Sequence, residues 1–128
     1  MSAIRILDPG LATTVQDRGR PGHARVGVPV SGALDPVSLA RANALVGCGP
    51  GAAALELRYL GPRFEVEAER LRIAISGAGL RGTIRRGGAD AHPLTPDRSH
   101  TLARGDVVEV GPLIGSTTAV MALAPGPA

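Results

Sequence analysis

The sequence predicts a mainly β protein with one clear α-helix, in which an antiparallel sheet closes into a barrel or a sandwich. From residue 54 onward, short runs alternate apolar and polar residues, and each run ends at a Gly- or Pro-containing turn. One segment, residues 36–46, has apolar residues at helical spacing instead. Only 2% of the residues are aromatic, so Val, Leu, Ile and Ala must form the core.

The predicted elements follow one another with short connections. Residues 3–7 (AIRIL) form a first strand, and Asp8-Pro9-Gly10 turns the chain. Residues 13–34 have no periodicity, so this long segment is either functional or disordered, and its valines indicate that it is anchored. Further strands are predicted at residues 55–59, 64–68, 71–75, 83–86, 101–102, 107–110 and 118–123, with a polar connection at 93–99.

The helix has signals at both ends. Asp35 is a good N-cap, and Pro36 suits the first helical position because no amide hydrogen bond is lost there. Leu39, Ala42, Leu45 and Val46 form the apolar stripe, and the glycine that follows ends the helix. We therefore predict a helix over residues 36–46.

Composition excludes several functions. At 128 residues the chain fits one domain, predicted at residues 1–124 with a tail at 125–128. All 14 basic residues are Arg, which excludes a Schiff-base or P-loop lysine within the chain. The arginines are scattered and no apolar run approaches a membrane span, so we expect neither nucleic acid nor membrane as a partner. The single cysteine, Cys48, fits a reducing compartment, and we expect a cytoplasmic protein.

Two short motifs before the helix carry candidate site residues. Gln16, Asp17 and Arg20 offer an amide, a carboxylate and a guanidinium beside a glycine, which either clamp a ligand or form a loop salt bridge. Ser31-Gly32-Ala33 lies just before the helix N-terminus, where free amides bind anions or carbonyl groups. Ser31 is also a conceivable nucleophile, although turn formation and capping explain this segment without chemistry.

Other polar residues leave alternatives open. Asn43 lies on the helix and is either exposed or hydrogen-bonded to a specific partner. Glu56 is either solvated beside Arg58 or partly buried, where it would lock the segment before the helix. Cys48 is either a nucleophile or an incidental loop residue, and the three histidines lack metal-ligand spacing, so we expect no metal. The Gly-rich residues 76–79 precede no helix, which argues against dinucleotide binding.

The runs "PGLATTVQDRGRPGHARVGVPVSGALDPVSLARANALVG", "AALELRYLGPRFEV", "IAISGAGLRGTI" and "LARGDVVEVG" resemble the allophanate hydrolase subunit 2-like family. This family includes the C-type subunit of ATP-dependent 5-oxoprolinase, part of the carboxyltransferase domain of urea carboxylase, and the regulator KipA. The chain resembles the N-terminal half of the family's usual length. The resemblance implies a cyclophilin-like antiparallel β-barrel and a cleft for a small amide or lactam in residues 13–56.

The resemblance also implies roles and partners. Catalytic roles are expected for Asp17, Arg20 and Asp35, and substrate-binding roles for Gln16, Ser31, Gly32, Ala33 and Asn43. The implied function is a component of a 5-oxoprolinase-like or urea/allophanate amide-carboxylating complex. That complex uses ATP, uses biotin if it is urea carboxylase-like, and contains a subunit-1-like protein (the B-type subunit of 5-oxoprolinase, or KipI-like) and a catalytic A-type subunit. The alternatives are a non-catalytic KipA-like module that pairs with a subunit-1-like partner, and a truncated inactive remnant.

Overall fold

The computed structural model describes residues 3–10, 14–16, 35–50, 52–87 and 90–126. These residues form one helix and eleven strands, which confirms the mainly β class. In chain order the elements are β1 Ile4–Asp8, β2 Thr14–Gln16, α1 Pro36–Leu45, β3 Ala54–Arg58, β4 Leu60–Val66, β5 Arg70–Ser76, β6 Gly79–Leu80, β7 Gly82–Arg86, β8 Asp90–Leu94, β9 His100–Ala103, β10 Val107–Ile114 and β11 Thr118–Pro125.

The strands form two antiparallel sheets. Sheet I has the order β1-β4-β10-β7-β8, and β6 pairs with the end of β10. Sheet II has the order β2-β3-β11-β5-β9. The predicted antiparallel arrangement is confirmed, and the pairings within the described residues give two sheets rather than one closed ring.

The main hydrophobic core contains inward-facing side chains from both sheets. Sheet I contributes Phe64 and Val108, and sheet II contributes Leu57, Ile73 and Met121, all of them fully buried. Since successive strand residues point to opposite faces, the alternate residues of sheet II face the other way. That second face packs against the helix.

Helix α1 covers this second face of sheet II. Leu39, Ala42 and Val46 pack against small or β-branched residues of β3, β5 and β11, among them Ala74 and Val120. The helix ends one residue before the predicted end, with Val46 as C-cap and Gly47 in a left-handed conformation (φ 84°). Within the described residues, no helix is both long and apolar enough to cross a membrane.

Three short strands differ from the sequence prediction. β2 lies in the segment without periodicity, β6 follows the Gly-rich turn, and β8 overlaps the start of the predicted polar connection. Four of the five residues of β8 are exposed, so this strand has no alternating pattern to detect. It tolerates Pro93 because it lies at the edge of sheet I.

Candidate functional site

The N-terminus of α1 is closed by a carboxylate cap. The Ser38 backbone N–H donates to Asp35 Oδ1 at 3.0 Å, and the Ser38 hydroxyl donates to Asp35 Oδ2. These bonds from Ser38, first from its hydroxyl and then from its backbone, lower the pKa of the Asp35 carboxyl below its ordinary value. The predicted N-cap is confirmed, and both Asp35 oxygens are engaged.

An open cleft of about 570 Å³ lies beside this capped end. The start of α1 forms one side, and the turn after β5 forms another. The turn before β9 and the end of β10 complete the lining. The lining residues are Asp35, Val37, Ser38, Arg41, Gly77, Ala78, Gly79, Pro96, Asp97, Ile114 and Gly115.

Arg41 and Asp97 are the charged pair of this cleft. The Arg41 Nη1 atom lies 3.8 Å from Asp97 Oδ1, and the two side chains are 52% and 55% exposed. The Asp97 side chain is anchored to the protein interior, because the hydroxyl of the fully buried Ser76 donates to its Oδ1 at 2.7 Å. Its backbone N–H also donates to the Ile75 carbonyl at 2.7 Å. The cleft therefore presents a cation beside a positioned carboxylate.

Glycines bring the backbone close to the cleft. Gly77 has a φ of +105°, and a Cβ there would lie 2.9 Å from the Ser38 hydroxyl. A side chain at this position would therefore press on Ser38, which donates to the Asp35 cap of α1. The absence of a side chain lets the turn after β5 pack closely against the first turn of α1.

The structure brings Asp35 to the cleft and leaves Asn43 apart from it. Asn43 lies eight residues further along α1, about 12 Å by helical rise. It is fully buried, and its Nδ2 donates to the Ala52 carbonyl at 2.9 Å. Its Oδ1 has no hydrogen-bond partner among the described residues. Of the two alternatives for Asn43, the specific hydrogen bond is confirmed.

Of the other predicted site residues, the structure describes the backbone of Gln16 alone. Gln16 pairs with Ala54 through the β2–β3 ladder. The remaining candidates lie outside the described residues, and their roles stay predictions. They are Asp17, Arg20, Ser31, Gly32 and Ala33.

Glu56 is a buried carboxylate, so the expectation of a solvated side chain is wrong. It is 2% exposed and lies 3.3 Å from the guanidinium of Arg58. On β3 it lies opposite Thr14 of β2 and Val120 of β11, in the centre of three strands. The burial of Glu56 is thus confirmed, and its locking of the segment before the helix stays a prediction.

Sequence reasoning missed four residues of the site: Ser38, Arg41, Ser76 and Asp97. Ser38 follows the N-cap by three residues, the spacing at which a capping box places its second polar side chain. Ser76 opens the Gly-rich turn, which leads into β6 and not into a helix, as the sequence argument expected. Arg41 and Asp97 carry no local signal, because only the fold brings them together.

Comparison with known proteins places the chain in a family. The family described as "Carboxyltransferase domain, subdomain A and B" matches residues 26–127. The urea amidolyase of Lachancea kluyveri is 36% identical over 125 residues, covering 97% of this chain and 6% of that protein. The C-type subunit of the Escherichia coli 5-oxoprolinase is 41% identical over 81 residues, covering 63% of this chain and 26% of that protein. The chain thus spans a small part of the length of these relatives.

A solved structure agrees with these sequence relatives. The crystal structure of the Kluyveromyces lactis urea carboxylase matches with a TM-score of 0.79 at 32% identity, over 94% of this chain and 10% of that chain. The fold is thus of the carboxyltransferase type, with two antiparallel sheets and a cleft at the N-terminus of α1. The chain belongs to the carboxyltransferase domain family, subdomains A and B, and resembles urea amidolyase and the C-type subunit of 5-oxoprolinase.

Proposed function

We propose that this chain is a component of an amide-carboxylating or 5-oxoprolinase-type enzyme, to which it contributes a cleft for a small amide or lactam. The observation that carries the proposal is the 36% identity to a urea amidolyase over 97% of the chain. The open cleft beside α1, with its neighbouring guanidinium and carboxylate, supports it chemically. The proposed unit of residues 1–124 acts as one domain.

The residues divide into proposed roles. Arg20, or the backbone amides of residues 31–33, polarises the carbonyl of the bound amide. Asp17 is the better candidate for proton transfer, since the lowered pKa of Asp35 and its two bonds from Ser38 make Asp35 a weak base. Asp35 then acts mainly by holding the first turn of α1 in place.

ATP use is proposed for the whole assembly rather than for this chain. A phosphate cradle needs a Gly-rich loop that opens a helix, and the described Gly-rich turn at residues 77–79 runs into a strand instead. No step through ATP is therefore assigned to these residues. Among the described residues, no three His, Cys, Asp or Glu side chains are grouped to hold a metal ion.

The assembly uses biotin as a cofactor only if it is urea carboxylase-like. The cleft fits its neutral ureido group, because the half-exposed Arg41 can donate to a carbonyl. When bound, biotin would supply the carboxyl group for transfer. When the acceptor amide rather than biotin occupies Arg41, the contribution of this chain is to hold and orient that amide.

The proposed partners are a subunit-1-like protein and a catalytic A-type subunit, in the cytoplasm. Val37 and Ile114 are 66% and 47% exposed and both line the cleft, so an apolar rim is available for a second wall. The same rim favours the second candidate, a non-catalytic module that pairs with a subunit-1-like protein.

Co-expression with a subunit-1-like and an A-type protein tests the proposal. The purified assembly is assayed for ATP hydrolysis with and without 5-oxoproline, and with and without urea plus a biotinylated carrier. Amide-dependent ATP hydrolysis that requires this chain supports the enzyme. The proposal is contradicted if a stable assembly hydrolyses ATP at a rate that neither amide changes, or does so without this chain. That result would favour the non-catalytic binding module.

A further inference from the structure

The charged pair in the cleft offers a donor and an acceptor side by side. Arg41 Nη1 and Asp97 Oδ1 are 3.8 Å apart, longer than the 2.7–3.2 Å of an N–H···O hydrogen bond. Both side chains are half exposed toward the cleft. Each group therefore retains hydrogen-bonding capacity for a ligand that bridges them.

The acceptor of the pair is held in position before any ligand arrives. Ser76 occupies Oδ1 of Asp97, and the Asp97 backbone bonds to Ile75 of β5. No bond to Oδ2 of Asp97 occurs within the described part of the chain. A fixed acceptor whose second oxygen is unbonded within the described residues costs little reorganisation on binding.

The chemistry of the ligand follows from this geometry. An ordinary secondary amide is trans, so its N–H and C=O point in opposite directions. A lactam or urea presents an N–H and the C=O along one edge. We infer that Arg41 and Asp97 bind this edge. The guanidinium donates to the carbonyl oxygen, and Asp97 Oδ2 accepts a hydrogen bond from the N–H. The inference rests on the proposed function and names the residues that select its substrate class.

The charges that line the cleft narrow the class of ligand further. The charged groups that line the described cleft are Arg41, Asp35 and Asp97, one cation and two carboxylates. This excess of negative charge favours a neutral amide edge over an anionic group at the same contact. Neutral probes therefore test the contact most cleanly.

Heteronuclear NMR of the isotope-labelled full chain provides the test. The probes are the neutral lactam pyrrolidinone, urea and, as the trans control, N-methylacetamide. Pyrrolidinone and urea should shift the backbone amides of Gly77 and Asp97 and the Arg41 side-chain N–H. The affinity for pyrrolidinone should exceed that for N-methylacetamide by about tenfold, the effect of one hydrogen bond to a charged group.

Asp97→Asn is the decisive variant. Ser76 keeps donating to the side-chain oxygen, so the amide nitrogen faces the cleft and replaces an acceptor with a donor. Asn accommodates the left-handed backbone at this position (φ 57°), which preserves the turn. Binding of pyrrolidinone should fall about tenfold, and Arg41→Gln should weaken it similarly. The matched control is Asp90→Asn, an exposed carboxylate on β8 outside the cleft, which should bind like the wild type.

Unchanged pyrrolidinone affinity in both Asp97→Asn and Arg41→Gln overturns the inference. Equal affinity for the trans amide, or shifts confined to residues away from the cleft, overturns it as well. A different result rejects the proposed function alone. In that case the chain binds the lactam through Arg41 and Asp97, but the reconstituted assembly shows no amide-dependent ATP hydrolysis. Conversely, an assembly that turns over amides equally well with Asp97→Asn supports the function and rejects this contact.

Discussion

The Ser76 hydroxyl donates a 2.7 Å hydrogen bond to Asp97 Oδ1 and so joins the buried end of β5 to an exposed turn 21 residues later. Ser76 is fully buried on the face of sheet II that packs against α1, whereas the Asp97 side chain is 55% exposed. The position of the cleft carboxylate is therefore determined by the protein interior. Changes in that interior should be measurable as changes in the cleft.

Ser76→Ala should uncouple this carboxylate from the interior. We expect the free energy of unfolding to fall by about 1.5 kcal/mol, since one hydrogen bond to a charged group is lost. We also expect the ratio of pyrrolidinone to N-methylacetamide affinity to decrease, because Asp97 is no longer positioned. Denaturant unfolding and NMR titration measure the two effects, with Ser99→Ala as the control. A loss of stability with an unchanged affinity ratio would mean that Ser76 has only a structural role.

The Asp35 cap should give the protein a specific acid sensitivity. Its folded-state pKa is lowered, so the ionised carboxylate stabilises the fold above the unfolded value of about 3.9. That contribution disappears as the pH falls through the folded-state pKa. Asp35→Ala should cost about 1 kcal/mol at neutral pH, the usual effect of losing an N-cap, and the difference from wild type should shrink in acid.

Asp35→Asn separates capping from charge. Asn is an equally good N-cap, so stability at neutral pH should change by less than about 0.5 kcal/mol. The variant should nevertheless lose less stability than wild type between about pH 5 and pH 2. Unfolding free energies across this range test both statements. Parallel curves for Asp35→Asn and wild type would exclude a stabilising role for the ionised carboxylate.

Gly77→Ala should disturb the cleft more than its backbone conformation alone predicts. The added Cβ would lie 2.9 Å from the Ser38 hydroxyl that bonds Asp35. Gly105 is the matched control, because its φ is also positive (+91°) and a Cβ there meets nothing within 4 Å. Both variants should lose about 1–2 kcal/mol from backbone strain, and only Gly77→Ala should also lose pyrrolidinone binding. Equal binding by the two variants would reject the close contact.

Arg58→Ala should lower the free energy of unfolding, because it leaves the buried carboxylate of Glu56 less well compensated. Glu56 is 2% exposed, so removal of a guanidinium 3.3 Å away weakens the compensation of its charge. We expect a loss of about 1–3 kcal/mol in the free energy of unfolding. The control is Arg5→Ala, since Arg5 pairs with Glu65 at an exposed site and should leave the unfolding midpoint nearly unchanged. Similar midpoints for the two variants would contradict this account of Glu56.

Elements with a strong local signal were predictable from sequence. Asp35, Pro36 and the apolar stripe located α1 to within one residue, and the alternation in β5 located that strand. β2 has only three residues and β8 has no buried alternation, so neither has a pattern long enough to detect. Glu56 was ambiguous because its burial depends on the strands on either side of β3.

The cleft was less predictable than the fold. Asp35 was identified from its capping position, yet Arg41 and its partner Asp97 were not. Arg41 and Asp97 are 56 positions apart and meet because α1 packs on the sheet that carries β5. No local spacing encodes such a contact. Sequence reasoning therefore identified Asp35 and missed the charged pair that the described structure provides, and its roles for residues 16–33 stay predictions.

The most direct test of the central claim is amide-dependent ATP hydrolysis by the reconstituted assembly with three versions of this chain. Wild type and Asp90→Asn should give equal kcat/KM for the amide, while Asp97→Asn should lower kcat/KM about tenfold, as expected for one lost charged hydrogen bond. If Asp97→Asn matches Asp90→Asn, the cleft beside α1 is not where the amide is recognised.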